Sequence, residues 1–171
     1  ALSMLYITPL RALNRDVDRR LRELAEAVGL RVDVRHGDTS QSQRAKQTRN
    51  PPHLLVTTPE TFQLMFSGKN LRAMLSTVQA VVVDEVHDLA ASERGWQLGI
   101  GLSRLEALAG RSVQRLGLSA TVGNPEAVAH WLSPGKATPL ITTGQRATEL
   151  TVESPSPTAE DEIGSVESAL S

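Results

Sequence analysis

The sequence predicts an α/β protein built on an open, mostly parallel sheet with helices on both faces. Three observations carry that expectation. Short apolar runs alternate with amphipathic stretches along the chain. Val81-Val82-Val83 lacks the polar alternation of a half-exposed strand and suits a central parallel strand covered on both sides. Threonine and proline follow two of the apolar runs, at Thr8-Pro9 and Thr57-Thr58-Pro59, as they do where a strand turns into a helix.

The elements run in chain order. Residues 2–7 are read as a buried strand. Leu10, Leu13, Val17, Leu21, Leu24 and Val28 recur at spacings of three and four, one apolar stripe of a helix that Gly29 stops. Between Leu30 and Arg35, Val32 and Val34 alternate with charged residues, as in a half-buried strand. His36-Gly37-Asp38 turns the chain, and 41–49 is a polar helix ended by Pro51-Pro52. Leu54 to Thr57 is a second buried strand, 60–67 a helix closed near Gly68, and 71–76 a short helix. The strand from Val78 to Asp84 precedes a helix from about Arg94 to Ala109, marked by Leu98, Leu102, Leu105 and Leu108. Val113 to Leu118 is the next strand. Asn124 caps a helix that has Pro125 at its first position, runs to Leu132 and ends at Pro134-Gly135. Two further strands are expected at 138–143 and 148–153. Ser154-Pro155-Ser156-Pro157-Thr158 is linker-like, and an acidic tail comes after it.

Composition excludes several classes. The 171 residues suffice for one α/β domain with a core. There is no cysteine, so disulfides and thiolate metal sites are ruled out. Aromatics make up 3%, too few for a base-stacking platform. His36, His53, His87 and His130 lack close metal-ligand spacing. No apolar run is long enough to span a membrane and no basic leader opens the chain, so a cytoplasmic location is expected. The net charge of −1 hides an asymmetry: all 18 basic residues lie at or before Arg146, whereas five acids, Glu153, Glu160, Asp161, Glu162 and Glu167, lie from Glu153 onward. Bases outnumber acids between Arg11 and Arg49, which suits phosphate contacts and equally suits a solvated helix face.

The strongest chemical signal is Val81-Val82-Val83-Asp84-Glu85-Val86-His87. A buried strand ending in two acids puts them at the carboxyl edge of the sheet, where ligands of open α/β folds bind. One acid there can hold Mg²⁺ through water, and the other can orient or deprotonate an attacking water. An ordinary acidic turn explains Asp-Glu by itself equally well; the preceding apolar run and the histidine two residues on favour the chemistry. Ser119-Ala120-Thr121 closes the next strand, with hydroxyls able to reach those acids or nearby backbone. Thr8-Pro9-Leu10-Arg11 and Thr57-Thr58-Pro59-Glu60 each combine a hydroxyl, free N–H groups and a helix start, which favours a phosphate. Helix capping explains either turn alone. Two such turns on one sheet edge, with His36-Gly37-Asp38 nearby, suggest a nucleic-acid track.

Taken in order, these segments resemble motifs Ia, Ic, Ib, II and III of superfamily 2 DEAD/DEAH-like helicases. Within that group Arg49-Asn50-Pro51-Pro52-His53, Thr57-Thr58-Pro59-Glu60 and Ser119 through Glu126 resemble the large helicase-related (Lhr) family; Ski2-like helicases are the nearest alternative. The resemblance covers roughly residues 3–153 and implies the first RecA-like domain of a P-loop NTPase. It implies that Asp84 binds Mg²⁺, that Glu85 activates water, and that His87 couples the ATP site to a second RecA-like domain. Ser119 and Thr121 would link hydrolysis to strand separation. Thr8, Pro9, Arg11, Gly37, Thr58, Pro59 and Glu60 would lie along a single-stranded or tailed nucleic acid. The family implies 3′→5′ movement on DNA and a role in DNA repair. A non-catalytic nucleic-acid-binding module and a scaffold that keeps only the fold are the other classes.

One part of the motor is missing from the sequence. A phosphate loop needs Gly-x-x-x-x-Gly-Lys-Ser/Thr. Gly68-Lys69 runs into Asn70 and Gly135-Lys136 into Ala137, and neither has a glycine five residues before its Gly. In the family that loop lies upstream of motif Ia, so a truncated motor is expected: residues 1–153 a partial first RecA-like domain, and 154–171 an acidic Ser/Pro linker and the start of the second. The resemblance also places the P-loop strand between the strands ending at Asp84 and Ser119. Without it, those two must leave a gap or pair with each other, with a weakened core and exposed apolar edges.

Overall fold

The structure, a computed structural model, describes residues 1–9, 15–120, 123–136 and 138–141, with the side chains of 15–17 left aside. Leu10, Arg11, Leu13, the Val17 side chain, Thr121, the strand expected at 148–153 and the tail from 154 lie outside the described residues. The described strands and helices all belong to one unit, Ala1–Leu140.

Among the described residues, five parallel strands form one sheet: β1 (Met4–Ile7), β2 (Val32–Arg35), β3 (Leu54–Thr57), β4 (Ala80–Val83) and β5 (Gln114–Gly117), in the order β2-β3-β1-β4-β5. The connecting helices are α1 (Arg15–Ala27), α2 (Gln41–Arg49), α3 (Pro59–Leu64), α4 (Lys69–Leu75), α5 (Val86–Ala90), α6 (Glu93–Ala109) and α7 (Pro125–Leu132), with a 3₁₀ turn at Met65–Ser67. Local chemistry sets their starts. Ser40 and Gln43 form a reciprocal capping box on α2. Thr58 caps α3 ahead of Pro59, and Asn124 caps α7 ahead of Pro125. Gly110, at φ +65°, ends α6 in the left-handed conformation.

The buried core lies against the sheet face that carries Leu5, Ile7, Leu55, Val81 and Val83. Phe62, Met65 and Leu75 from the α3–α4 region, Leu89 of α5 and Leu98, Leu102 and Leu105 of α6 fill it. Of the residues alternating with these on β1 and β4, Tyr6 and Ala80 are buried, whereas Met4 is exposed and Val82 half-buried. The expectation that Val81-Val82-Val83 is covered on both sides is therefore corrected for Val82, which is half-buried.

Other differences have local causes. In α1, Ala25 is buried and Leu21 half-buried, while Leu24 and, just past the helix end, Val28 are 69% and 68% exposed, so the stripe read through Leu24 and Val28 departs from the packed side. On β2 the most buried residue is Arg35, not a valine, because β2 is an edge strand and Gln47 of α2 accepts from the Arg35 guanidinium at 3.2 Å. Residues 138–141 form no strand. The helix α5 was not expected at all.

β4 and β5 pair directly, from Ala80↔Gln114 to Val83↔Gly117. Of the two expected outcomes this is the second, and a strand inserted between them would have to break all of these pairs. Among the described residues, the outer edge of β5 has no strand partner, and Leu116 and, just beyond, Leu118 are exposed there.

Candidate functional site

The sheet order places a switch point between β1 and β4. After β1 the chain moves toward β2, and after β4 toward β5, so the loops at their carboxyl ends part and open a crevice. Asp84 stands there. Its N–H donates to the Ile7 carbonyl at 2.8 Å, so the residue is still held by the sheet when its side chain emerges. One carboxylate oxygen, Oδ1, accepts from the Glu85 N–H at 3.0 Å. The other, Oδ2, accepts from the Tyr6 hydroxyl at 2.7 Å and lies 3.5 Å from the Thr8 hydroxyl.

Glu85 turns the chain sharply. Its φ of 47° and ψ of 44° are left-handed, a conformation that costs a non-glycine residue roughly 1–2 kcal/mol. The bond to Asp84, the Val86 N–H on the Leu118 carbonyl (3.0 Å) and the Asp88 N–H on the Glu85 carbonyl (3.0 Å) hold the kink. The kink starts α5 and sets the Glu85 carboxylate 3.5 Å from His87 Nδ1. Ser119 Oγ lies 2.7 Å from the same nitrogen. The structure thus joins the ends of β4 and β5 through Glu85, His87 and Ser119. Thr121 lies outside the described residues.

The threonine turns occupy the same rim, yet their hydroxyls are engaged inside the protein. Thr8 is fully buried and faces Asp84. Thr58, 3% exposed, accepts from the Thr61 N–H and meets the Thr61 hydroxyl at 3.2 Å. Pro59 is buried, and Glu60 is exposed and paired with Arg94 of α6 at 2.6 Å. Burial would raise the Glu60 carboxyl; the Arg94 hydrogen bond, the residue's own backbone N–H, the Arg94 charge and the Thr58 hydroxyl outweigh it and hold the group below its usual range. Gly37 is exposed in a tight turn after β2. The Thr39 hydroxyl accepts from the His36 N–H, and Arg44 donates to the carbonyls of His36, Gly37 and Thr39 at 2.8–2.9 Å. Arg11 lies outside the described residues.

Tyr6, Thr39, Arg44 and Arg94 escaped the motif reading. Only Tyr6 left a signal: it is the one tyrosine of the chain and stands two residues before Thr8, hence on the same side of β1. Burial first, then the bond to Asp84 and the charges of Asp84 and Glu85, push its phenol far above the ordinary value near 10, so it stays a neutral donor.

Among the described residues, no group of three or more His, Asp or Glu side chains is placed to hold a metal ion. A single oriented carboxylate still fits Mg²⁺ of the kind that keeps most of its water and shares phosphate oxygens, and Asp84 is such a carboxylate. The residues present do not supply a phosphate cradle. No described helix is long and apolar enough to cross a membrane.

A parallel sheet with an acidic pair at its switch point, linked through a histidine to the next strand end, defines an α/β domain of the RecA-like helicase type. The DEAD/DEAH box helicase family model matches residues 1–128, and the chain belongs to that family. It is 42% identical over 150 residues to the Lhr helicase/uracil glycosylase of Escherichia coli, covering 81% of this chain and 10% of that protein. It is 42% identical over 139 residues to the ATP-dependent helicase Lhr-Core of Methanothermobacter thermautotrophicus, covering 75% of this chain and 16% of that protein. The solved structure of the Mycobacterium smegmatis helicase Lhr bound to ssDNA and AMP-PNP superposes with a TM-score of 0.71 at 43% identity, over 80% of this chain and 19% of that one. The chain therefore spans only a small part of the length of these relatives.

Proposed function

We propose that the chain is a segment of an ATP-dependent helicase that moves along DNA, lying in the first RecA-like domain. Residues 1–153 belong to that domain, and 154–171 lead as an acidic linker toward the second. The observation that carries the reading is the geometry at the switch point: an Asp84 carboxylate fixed on both oxygens, next to a kinked Glu85 that touches His87 and, through it, Ser119. The name of the Mycobacterium smegmatis relative, with ssDNA and a nucleotide analogue bound, supports both the ATP and the DNA part of this reading.

When bound, Mg²⁺ and ATP supply the phosphoanhydride and the charge that neutralises its oxygens during transfer. Asp84 would hold the ion through water. Glu85 orients a water molecule at the rim and accepts its proton. His87, in reach of both Glu85 and Ser119, passes a change at the acid to the end of β5, where Ser119 and Thr121 relay it toward strand separation. A single-stranded or tailed DNA runs over the rim that carries Thr8, Pro9, Gly37, Thr58, Pro59 and Glu60, and the motif assigns Arg11 to the same DNA strand. Thr8 and Thr58 act there by shaping the turns, since their hydroxyls face inward. The phosphate loop and the second RecA-like domain come from other parts of the same longer protein. Movement is 3′→5′, and the setting is cytoplasmic DNA repair.

In that longer protein, Glu85→Gln is expected to lower nucleic-acid-stimulated ATP turnover by about 100-fold or more while ATP still binds. Turnover retained by the variant would remove Glu85 from this role. A nucleic-acid-binding module without catalysis is the second reading, favoured by the lack of a Gly-Lys-Ser/Thr sequence in this chain; it predicts that the substitution changes nothing.

A further inference from the structure

Tyr6 reaches Asp84 from a neighbouring strand, 78 positions away in sequence. In the parallel register Tyr6 lies beside Val82, two residues short of Asp84. A side chain at that position must extend along the strand and end in a donor. Phenylalanine has the length without the donor, and serine or threonine has the donor without the length. Tyr6 is buried, at 8% exposure, so the surrounding packing fixes where its hydroxyl points.

The Asp84 carboxylate carries a strong donor on each oxygen, Glu85 N–H on Oδ1 and Tyr6 Oη on Oδ2. A carboxylate held at one oxygen turns about its bond to Cβ; one held at both does not. Oδ2 takes Tyr6 and faces the Thr8 hydroxyl at 3.5 Å, whereas Oδ1 accepts from the Glu85 N–H and keeps a lone pair for the water shell of a cation. We propose that Tyr6 is a positioning residue: its hydroxyl locks the Asp84 carboxylate in the orientation that receives a hydrated Mg²⁺. This rests on the ATPase reading above. It differs from a tyrosine that merely satisfies its hydroxyl in the core, because its loss would weaken the ion and not only the fold. Partners of this kind typically change metal affinity by about 10–100-fold when removed.

Two measurements decide it. The chain has one tyrosine, so a ¹³Cζ-tyrosine label gives a single resonance. In the 171-residue chain that resonance should move on Asp84→Asn and stay in place on Asp33→Asn. A resonance indifferent to Asp84→Asn overturns the contact and the proposal with it. In the longer protein, Tyr6→Phe should raise the Mg²⁺ concentration for half-maximal ATP turnover by about tenfold, with a much smaller loss at saturating Mg²⁺. An unchanged Mg²⁺ dependence, with only a lower rate or melting temperature, leaves Tyr6 structural and overturns the proposal. If the longer protein turns over no ATP, the functional reading fails and the positioning role falls with it, whereas the labelled resonance still reports whether the contact exists.

Discussion

Glu106 shows how one side chain fastens the last strand. It sits near the end of α6, where one carboxylate oxygen accepts from the Val113 N–H and from Lys136, and the other pairs with Arg115 at 2.8 Å. Arg115 in turn donates to the Leu132 carbonyl, so α6, β5 and α7 meet at this carboxylate. Burial would raise its pKa; the Val113 N–H, the Lys136 hydrogen bond and the two cations prevail and lower it from 4.5. A group depressed in the folded state contributes stability that is fully present above its unfolded value and is lost as pH falls through its folded value. Glu106→Gln is therefore expected to destabilise the chain by about 1–3 kcal/mol at pH 7, measured by urea unfolding. The difference from wild type should shrink as pH drops below about 4. A constant difference down to about pH 3 would contradict this. None of it was legible in the sequence, because Glu106 carries no motif and its partners, Val113 and Arg115 at β5 and Lys136 after α7, come from two other segments. Asp84 and Glu85 were legible because an apolar run delivers them and their neighbours in sequence are diagnostic. Tyr6 was not: its role depends on which strand lies beside β4, which local pattern does not state.

At the scale of elements, periodicity located most helices and strands, and capping residues located their starts. Asn124-Pro125 and Thr58-Pro59 mark helices that begin where expected. The misses come from tertiary packing. Leu24 and Val28 keep a helical spacing but face outward, because a stripe fixes a helix's period and not which neighbour will cover it. The five-residue α5 is too short for any period to show, and it comes after a left-handed Glu85 that propensity does not predict. Close helix approaches were likewise hidden. A Cβ on Gly95 would collide with the Leu89 carbonyl oxygen, so α5 can pack on the start of α6 only if residue 95 has no side chain. Gly95→Ala is expected to cost about 3 kcal/mol or more, since the atom in the way is backbone. Thermal unfolding checks this: a melting temperature equal to wild type would mean that α5 does not pack on α6 at this point. Because α5 begins at Glu85's neighbour, the same variant should also disturb the contact between His87 and Ser119.

At the scale of the whole molecule, strand order converts sequence-distant motifs into one rim. β1 and β4 are adjacent and their onward connections diverge, so Thr8, Asp84 and Glu85 converge there, with the Thr58 turn on β3 beside them. The direct pairing of β4 and β5 brings Ser119 to His87 without any intervening strand. The family resemblance led to the motif residues but left two arrangements of β4 and β5 open, because the phosphate-loop strand that the family places between them is not in this sequence. Among the described residues, the outer edge of β5, with Leu116 and Leu118 exposed beside it, is where an unpaired strand edge and apolar surface coincide. If the acid pair at this rim drives movement along DNA, unwinding must depend on the Glu85 carboxylate and not merely on DNA binding. Strand displacement from a tailed DNA duplex by the longer protein, with ATP and Mg²⁺, decides this when wild type and Glu85→Gln are compared at equal DNA occupancy. Wild type should displace the strand and the variant should not, while both stay bound to the tail; displacement at equal rates by both would take the motor role away from Glu85.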